Sequence, residues 1–179
     1  DPVEMRCYAA ENLPQSPQCV VKPGSTEEVA SVVRLARQRR IPVVPRGLAS
    51  RATPGGKRPQ PSTKGGIIVD MTRMNRIRDI CDKAMTVTVE AGMTMAKLNT
   101  ELAPMGYRVI ESTLAPFCAT AGSITGNGPG ASKYGARQQL IVDLEVVLGT
   151  GEILQTEPSL FGAGLATKYK SPNLTEIFF

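Results

Sequence analysis

The 179-residue sequence predicts an α+β fold in two subdomains, an N-terminal part over residues 1–110 that opens with a βαβ unit and a second part over 111–179 with antiparallel strands. Three features carry that expectation. A helical period between two short β-branched runs marks a parallel crossover near the start. The run LIVDLEVVLGTGEILQT has two strand patterns around Gly149-Thr150-Gly151, which suits an antiparallel hairpin. Near Glu111 the texture turns glycine-rich, and the boundary is drawn there.

Taken in order, CVVKP is the first strand. Ser25-Thr26-Glu27-Glu28 fits a capping box, and Val29, Val32, Val33 and Ala36 recur at helical spacing up to Arg39-Arg40. The arginines at 37, 39 and 40 read as a solvated helix end that complements the dipole, in preference to a phosphate site. IPVVP is the second strand, and RATPGGKRPQPSTKGG a long surface loop. GGIIVDM and TVTVEAG are two more strands. Thr94 caps a second helix carrying Met95, Leu98 and Leu102, closed by Pro104 and Gly106, and YRVI is read as a further strand.

Composition narrows the chemistry. The chain has no histidine, so Ser-His, Cys-His and histidine-base mechanisms within it are excluded, and chemistry must come from a cofactor or another segment. Cys7, Cys19, Cys81 and Cys118 are scattered without paired spacing, which argues against a structural metal. A net charge of +5, with 21 Lys+Arg against 16 Asp+Glu, suits an anionic ligand but is too mild for nucleic acid. With four Phe, four Tyr and no Trp, stacking platforms for bases are not evident. No apolar window approaches a membrane span and DPVEMRCYAAENLPQ lacks a signal pattern, so a cytoplasmic location is expected. A start at DP without methionine and a stop at EIFF read as part of a longer protein.

Two glycine-rich stretches demand a ligand or a plain connector. PRGLASRATPGG follows IPVVP directly, so its amides sit at the carboxyl end of a parallel strand, where ligands bind in such sheets. Successive amides there make a nest for an anion, and the small residues Gly47, Ala49 and Ser50 let an oxygen approach. TAGSITGNGPGASKYG, residues 120–135, has five glycines and little that could build a core. Neither stretch has the Gly-Lys-Ser/Thr of a P-loop or a strand–G-x-G-x-x-G–helix context, which disfavours nucleotide hydrolysis and Rossmann-type binding.

PRGLAS after a βαβ start, GGIIVDMTRMNRI, TVTVEAGMTMAKLNTEL, a loop with Pro116 leading to TAGSITGN and KYG, then LIVDLEVVLGTGEI, together resemble the flavin-binding domain of the vanillyl-alcohol oxidase/p-cresol methylhydroxylase family. The order and spacing match over nearly the whole chain, most like the glycolate oxidase and D-lactate dehydrogenase branch. The resemblance implies FAD held between two α+β subdomains. It puts the pyrophosphate on the amides of Arg46, Gly47, Leu48, Ala49 and Ser50, with Arg51 beside them, where Ala49 replaces a usual glycine and Ser50 a threonine. It puts a second flavin strip at Thr120, Ala121, Gly122, Ser123, Gly126 and Asn127, beneath Pro116, with Ser123 where a glycine is common.

Function follows from the same resemblance: a flavoprotein that oxidises a small 2-hydroxy acid by hydride transfer to flavin N5 and passes electrons to an acceptor subunit. Substrate-binding arginines and the base are expected beyond Phe179. The FAD is expected to be noncovalent, because the family's common histidyl link is impossible here and Cys118 reads as a small buried thiol. Glu90 resembles a position near the adenine end, but as a strand-end carboxylate it reads as solvated. Two alternatives stay open: a noncatalytic apo or interaction module with the same fold, and a reductase of enolpyruvyl sugar nucleotides.

Overall fold

The computed structural model describes residues 17–48, 65–109, 140–156 and 174–178. Within them the chain forms β1 (Cys19–Val21), α1 (Thr26–Arg39), β2 (Val43–Arg46), β3 (Ile67–Asp70), β4 (Ile77–Cys81), β5 (Thr86–Val89), α2 (Met95–Leu102), β6 (Glu145–Val147) and β7 (Ile153–Gln155). Short 3₁₀ turns cover Met71–Arg73, Ala103–Met105 and Leu174–Phe178.

The predicted crossover is present. β1 and β2 both run parallel to β3, which lies between them, with Cys19 and Val43 each in register with Ile67. All four residues of β3 are buried, as the continuous apolar run IIV requires of a central strand. Val29 and Ala36 of α1 close over Ile67, Val69 and Met74, with Val21, Val33 and Val43 packed around them. Ser25 caps α1 by accepting from the Glu28 N–H, while Glu28 reaches back one residue further than a standard box, accepting from the Gly24 N–H at 2.7 Å. Arg37, Arg39 and Arg40 are exposed at its end.

A second core forms where Met93, Leu98 and Leu102 pack on Ile77, Ile80, Val87 and Val89 of the antiparallel β4–β5 pair. Strand β4 is absent from the sequence reading. Its RIRDIC pattern breaks strict alternation, and the break is a register shift between Ile77 and Asp79. YRVI is not a strand over its described part: Tyr107–Val109 is irregular, because Val109 N–H is taken by the Asn99 side chain and not by a neighbouring strand. Thr94 caps α2 as expected, accepting from the Lys97 N–H.

The 145–155 hairpin forms as expected, with its turn closed by Gly151 N–H to the Leu148 carbonyl at 2.8 Å. Gly151 sits at φ +84°, and a Cβ there would run into the Arg34 side chain. Arg34 donates to the Gly151 carbonyl at 2.9 Å and Thr26 donates to Glu145, so this hairpin is seated on α1. Among the described residues no helix is long and apolar enough to cross a membrane. Among them too, no group of three or more His, Cys, Asp or Glu is placed to hold a metal.

Candidate functional site at the carboxyl edge of the parallel sheet

Three parallel strands finish on one edge, and the chain leaves each of them differently. β1 exits through Lys22-Pro23-Gly24 into the capped start of α1. β2 exits at Arg46 into a bend at Gly47, followed by exposed Leu48. β3 exits at buried Asp70, whose carboxylate accepts from the Thr72 N–H at 2.9 Å and starts the 3₁₀ turn. Arg46 is in register with Asp70, so the first of the predicted pyrophosphate residues stands beside a buried carboxylate at the sheet edge.

Cations gather around this edge. Arg73 donates to the Lys22 carbonyl at 2.7 Å, and Arg76 donates to the Gly24 carbonyl. Lys97 donates to the carbonyl and side chain of Asn75, at 2.7 and 2.9 Å. Arg73 and Arg76 thus stand at the β1 exit, and Lys97 stands beside the segment that follows β3. Glu90 is a counterweight. It is 4% exposed, not solvated, and receives Arg76 through Nη2 at 2.8 Å and the Arg76 N–H at 2.9 Å, with Arg78 Nε at 3.3 Å. Burial pushes the Glu90 carboxyl up, but the hydrogen bonds and charge of Arg76, with help from Arg78, outweigh it and hold the group below the usual carboxylate range.

That direction fixes a pH dependence. A carboxyl whose folded pKa is depressed stabilises the fold fully above its unfolded value, and the contribution fades as pH falls below the ordinary 4.5 through the folded value. Urea melts from neutral pH to well below 4.5 should lose stability in that window, and Glu90→Gln should flatten this part of the profile. An unchanged slope in the variant would assign the acid sensitivity to other groups.

Of the residues predicted for the flavin, Arg46, Gly47 and Leu48 are brought to this edge. Ala49, Ser50, Arg51, Pro116, Thr120, Ala121, Gly122, Ser123, Gly126 and Asn127 lie outside the described residues. Of two concave regions of about 380 and 310 Å³, one lies at the β1 exit along Val21, Lys22, Pro23 and the first turns of α1, and the other between β4–β5 and Tyr107. Neither is lined by Arg46, Gly47 or Leu48, so strand topology and amide chemistry, not concavity, single out the β2 exit. Sequence reasoning missed the Arg76–Glu90 pair, whose only signal was alternation of charge in NRIRD facing a carboxylate after TVTV.

The model of the FAD binding domain family matches residues 17–157. Glycolate oxidase subunit GlcD of Bacillus subtilis (strain 168) is 28% identical over 177 residues, 96% of this chain and 36% of that protein. A probable mitochondrial D-lactate dehydrogenase of Danio rerio is 31% identical over 142 residues, 78% of this chain and 28% of that one. The solved structure of p-cresol methylhydroxylase with substrate bound matches with a TM-score of 0.83 at 21% identity, over 99% of this chain and 36% of that chain, which shows a shared fold. The chain therefore spans about a third of the length of the proteins it matches.

Proposed function

The chain belongs to the FAD binding domain family, and from that premise we propose that it is the FAD-holding part of a flavoprotein oxidoreductase acting on a small 2-hydroxy acid of the glycolate or D-lactate type. The observation that carries this reading is the family match joined to the exit of β2, where Arg46, Gly47 and Leu48 leave the carboxyl edge of a parallel sheet. The residues present there fit a dinucleotide's pyrophosphate: a glycine-containing bend at the carboxyl end of a parallel strand, where successive backbone amides can cradle an anion.

On this reading the amides of Arg46 to Ser50, with Arg51 beside them, take the pyrophosphate, and the strip from Thr120 to Asn127 beneath Pro116 takes the ribityl and ring end. When bound, FAD supplies the hydride acceptor, at N5, for conversion of a hydroxy acid to its 2-oxo acid. The chain's own contribution is to bind, orient and keep charge in balance at the edge. The proposal extends to a division near Glu111, a separate electron-acceptor subunit and a cytoplasmic location. The relatives named for glycolate and D-lactate support the substrate class.

FAD is held noncovalently in this proposal, since the chain has no histidine. FAD titrated into the full chain should be retained through gel filtration, and acid or denaturant should then release all of it from the polypeptide. No retention would sink the cofactor assignment. Flavin that stays on the denatured chain and disappears in Cys118→Ala would overturn the noncovalent linkage alone.

A further inference from the structure

Glu90 stands where the two cores meet. It directly follows β5, which packs in the second core, while Met74, two residues before Arg76, is buried in the first. Donors surround its carboxylate. Oε2 accepts from the Arg76 N–H at 2.9 Å and from Arg76 Nε at 3.2 Å, and Oε1 accepts from Arg76 Nη2 at 2.8 Å with Arg78 Nε at 3.3 Å. A proton arriving on either oxygen would meet a donor where it needs an acceptor, so at least one of these bonds must give way. The same two arginines also reach beyond the second core. Arg76 Nη2 donates to the Gly24 carbonyl at the β1 exit, and the charge of Arg78 helps the Ser25 hydrogen bond hold the Glu27 carboxyl, in the first turn of α1, below its usual range. The other charges at this junction, among the described residues, are Arg73 on the Lys22 carbonyl, Glu28 on the Gly24 N–H, Lys22 itself, and Lys97 on Asn75.

We propose that Glu90 is a proton-operated clasp between the two cores: ionised, it aims Arg76 and Arg78 from β4 onto the β1 exit and the start of α1, and on taking up a proton it releases them, so that the cores unfold separately. The clasp is closed at neutral pH, because the carboxyl is held below the ordinary 4.5, and it opens as the pH falls through the folded value. The acid loss of stability is therefore a loss of coupling between two units and not a uniform weakening of both.

The test is a urea melt of the full chain followed residue by residue in ¹⁵N-resolved spectra, with Ala36 and Val69 reporting the first core and Leu98 and Leu102 the second. At neutral pH the two sets of wild-type amides should melt together. Well below pH 4.5 their midpoints should part by about 0.5–1 M urea, in step with a change in the Arg76 Nε–H resonance. Glu90→Gln places an amide among the same donors and should part the midpoints already at neutral pH. Cores that melt together in Glu90→Gln, or wild-type cores that already melt apart at neutral pH, overturn the proposal. Should the variant not fold, the acid series of the wild type decides alone: cores that stay together, or part before the Arg76 resonance moves, overturn it equally.

Discussion

Replacing Gly92 by valine is expected to lower stability by about 3 kcal/mol or more, with Gly92→Ala close behind. The backbone there has no space for any side chain. A Cβ on Gly92 would overlap the Met71 carbonyl oxygen and lie 2.7 Å from its carbon and 2.9 Å from the Met74 oxygen. Those are main-chain atoms of the turn that leaves β3, so no rotamer change relieves the clash. The turn cannot simply slide, because the Gly92 N–H donates to the Met74 carbonyl at 2.8 Å and the Met74 N–H donates to Met71 at 2.9 Å. Met74 and Met93 are both buried, one in each core, so a shift at this contact is felt on both sides. Because the clash begins at Cβ, alanine should carry most of the penalty, and a domain with roughly 5–15 kcal/mol to spare loses a large share of it. For a chain of this size that corresponds to a drop in melting temperature on the order of 6–12 °C, read in a thermal melt of each variant. Wild-type stability in Gly92→Ala would mean that the turn at Met71–Met74 yields freely, and the two cores would then be joined elsewhere.

Much of this fold could be read from residue order, and the failures have physical causes. Helices α1 and α2 announced themselves through Ser25 and Thr94 caps followed by apolar residues at helical spacing, and both caps are made. The strand IIVD was legible because a strand buried on both faces needs an unbroken apolar run. Its place between β1 and β2 was not, since pairing order is set by long-range packing that local pattern does not encode. Strand β4 was hidden by its bulge, and YRVI looked like a strand because β-branched composition says nothing about which group will take the Val109 N–H. Glu90 shows the sharpest limit. A carboxylate at a strand end is ordinarily wet, and only the fold brings Arg76 and Arg78 to it.

Gly47→Val is expected to weaken FAD binding by on the order of 1–3 kcal/mol, roughly five- to 150-fold, while the melting point of the free chain changes less. The argument starts from the exit of β2. Arg46 is the last residue paired with β3, opposite Asp70, so Gly47 is the first residue beyond the ladder. It lies in a bend, and the next side chain, Leu48, is 45% exposed. If the pyrophosphate is bound by main-chain amides, what matters at 47 is how closely an oxygen can approach, and a branched side chain at that point both occupies the ligand's volume and holds the amide away from it. On the proposed reading, the side chain at 48 is by contrast dispensable and only its amide counts. Leu48→Ala should therefore bind FAD within about twofold of wild type, which separates a backbone cradle from a side-chain pocket. Both affinities can be read by titrating FAD into the full chain and following flavin fluorescence. Equal affinity for Gly47→Val and wild type would remove the pyrophosphate from the β2 exit, and a large loss in Leu48→Ala would replace the amide nest by an apolar contact as the source of affinity.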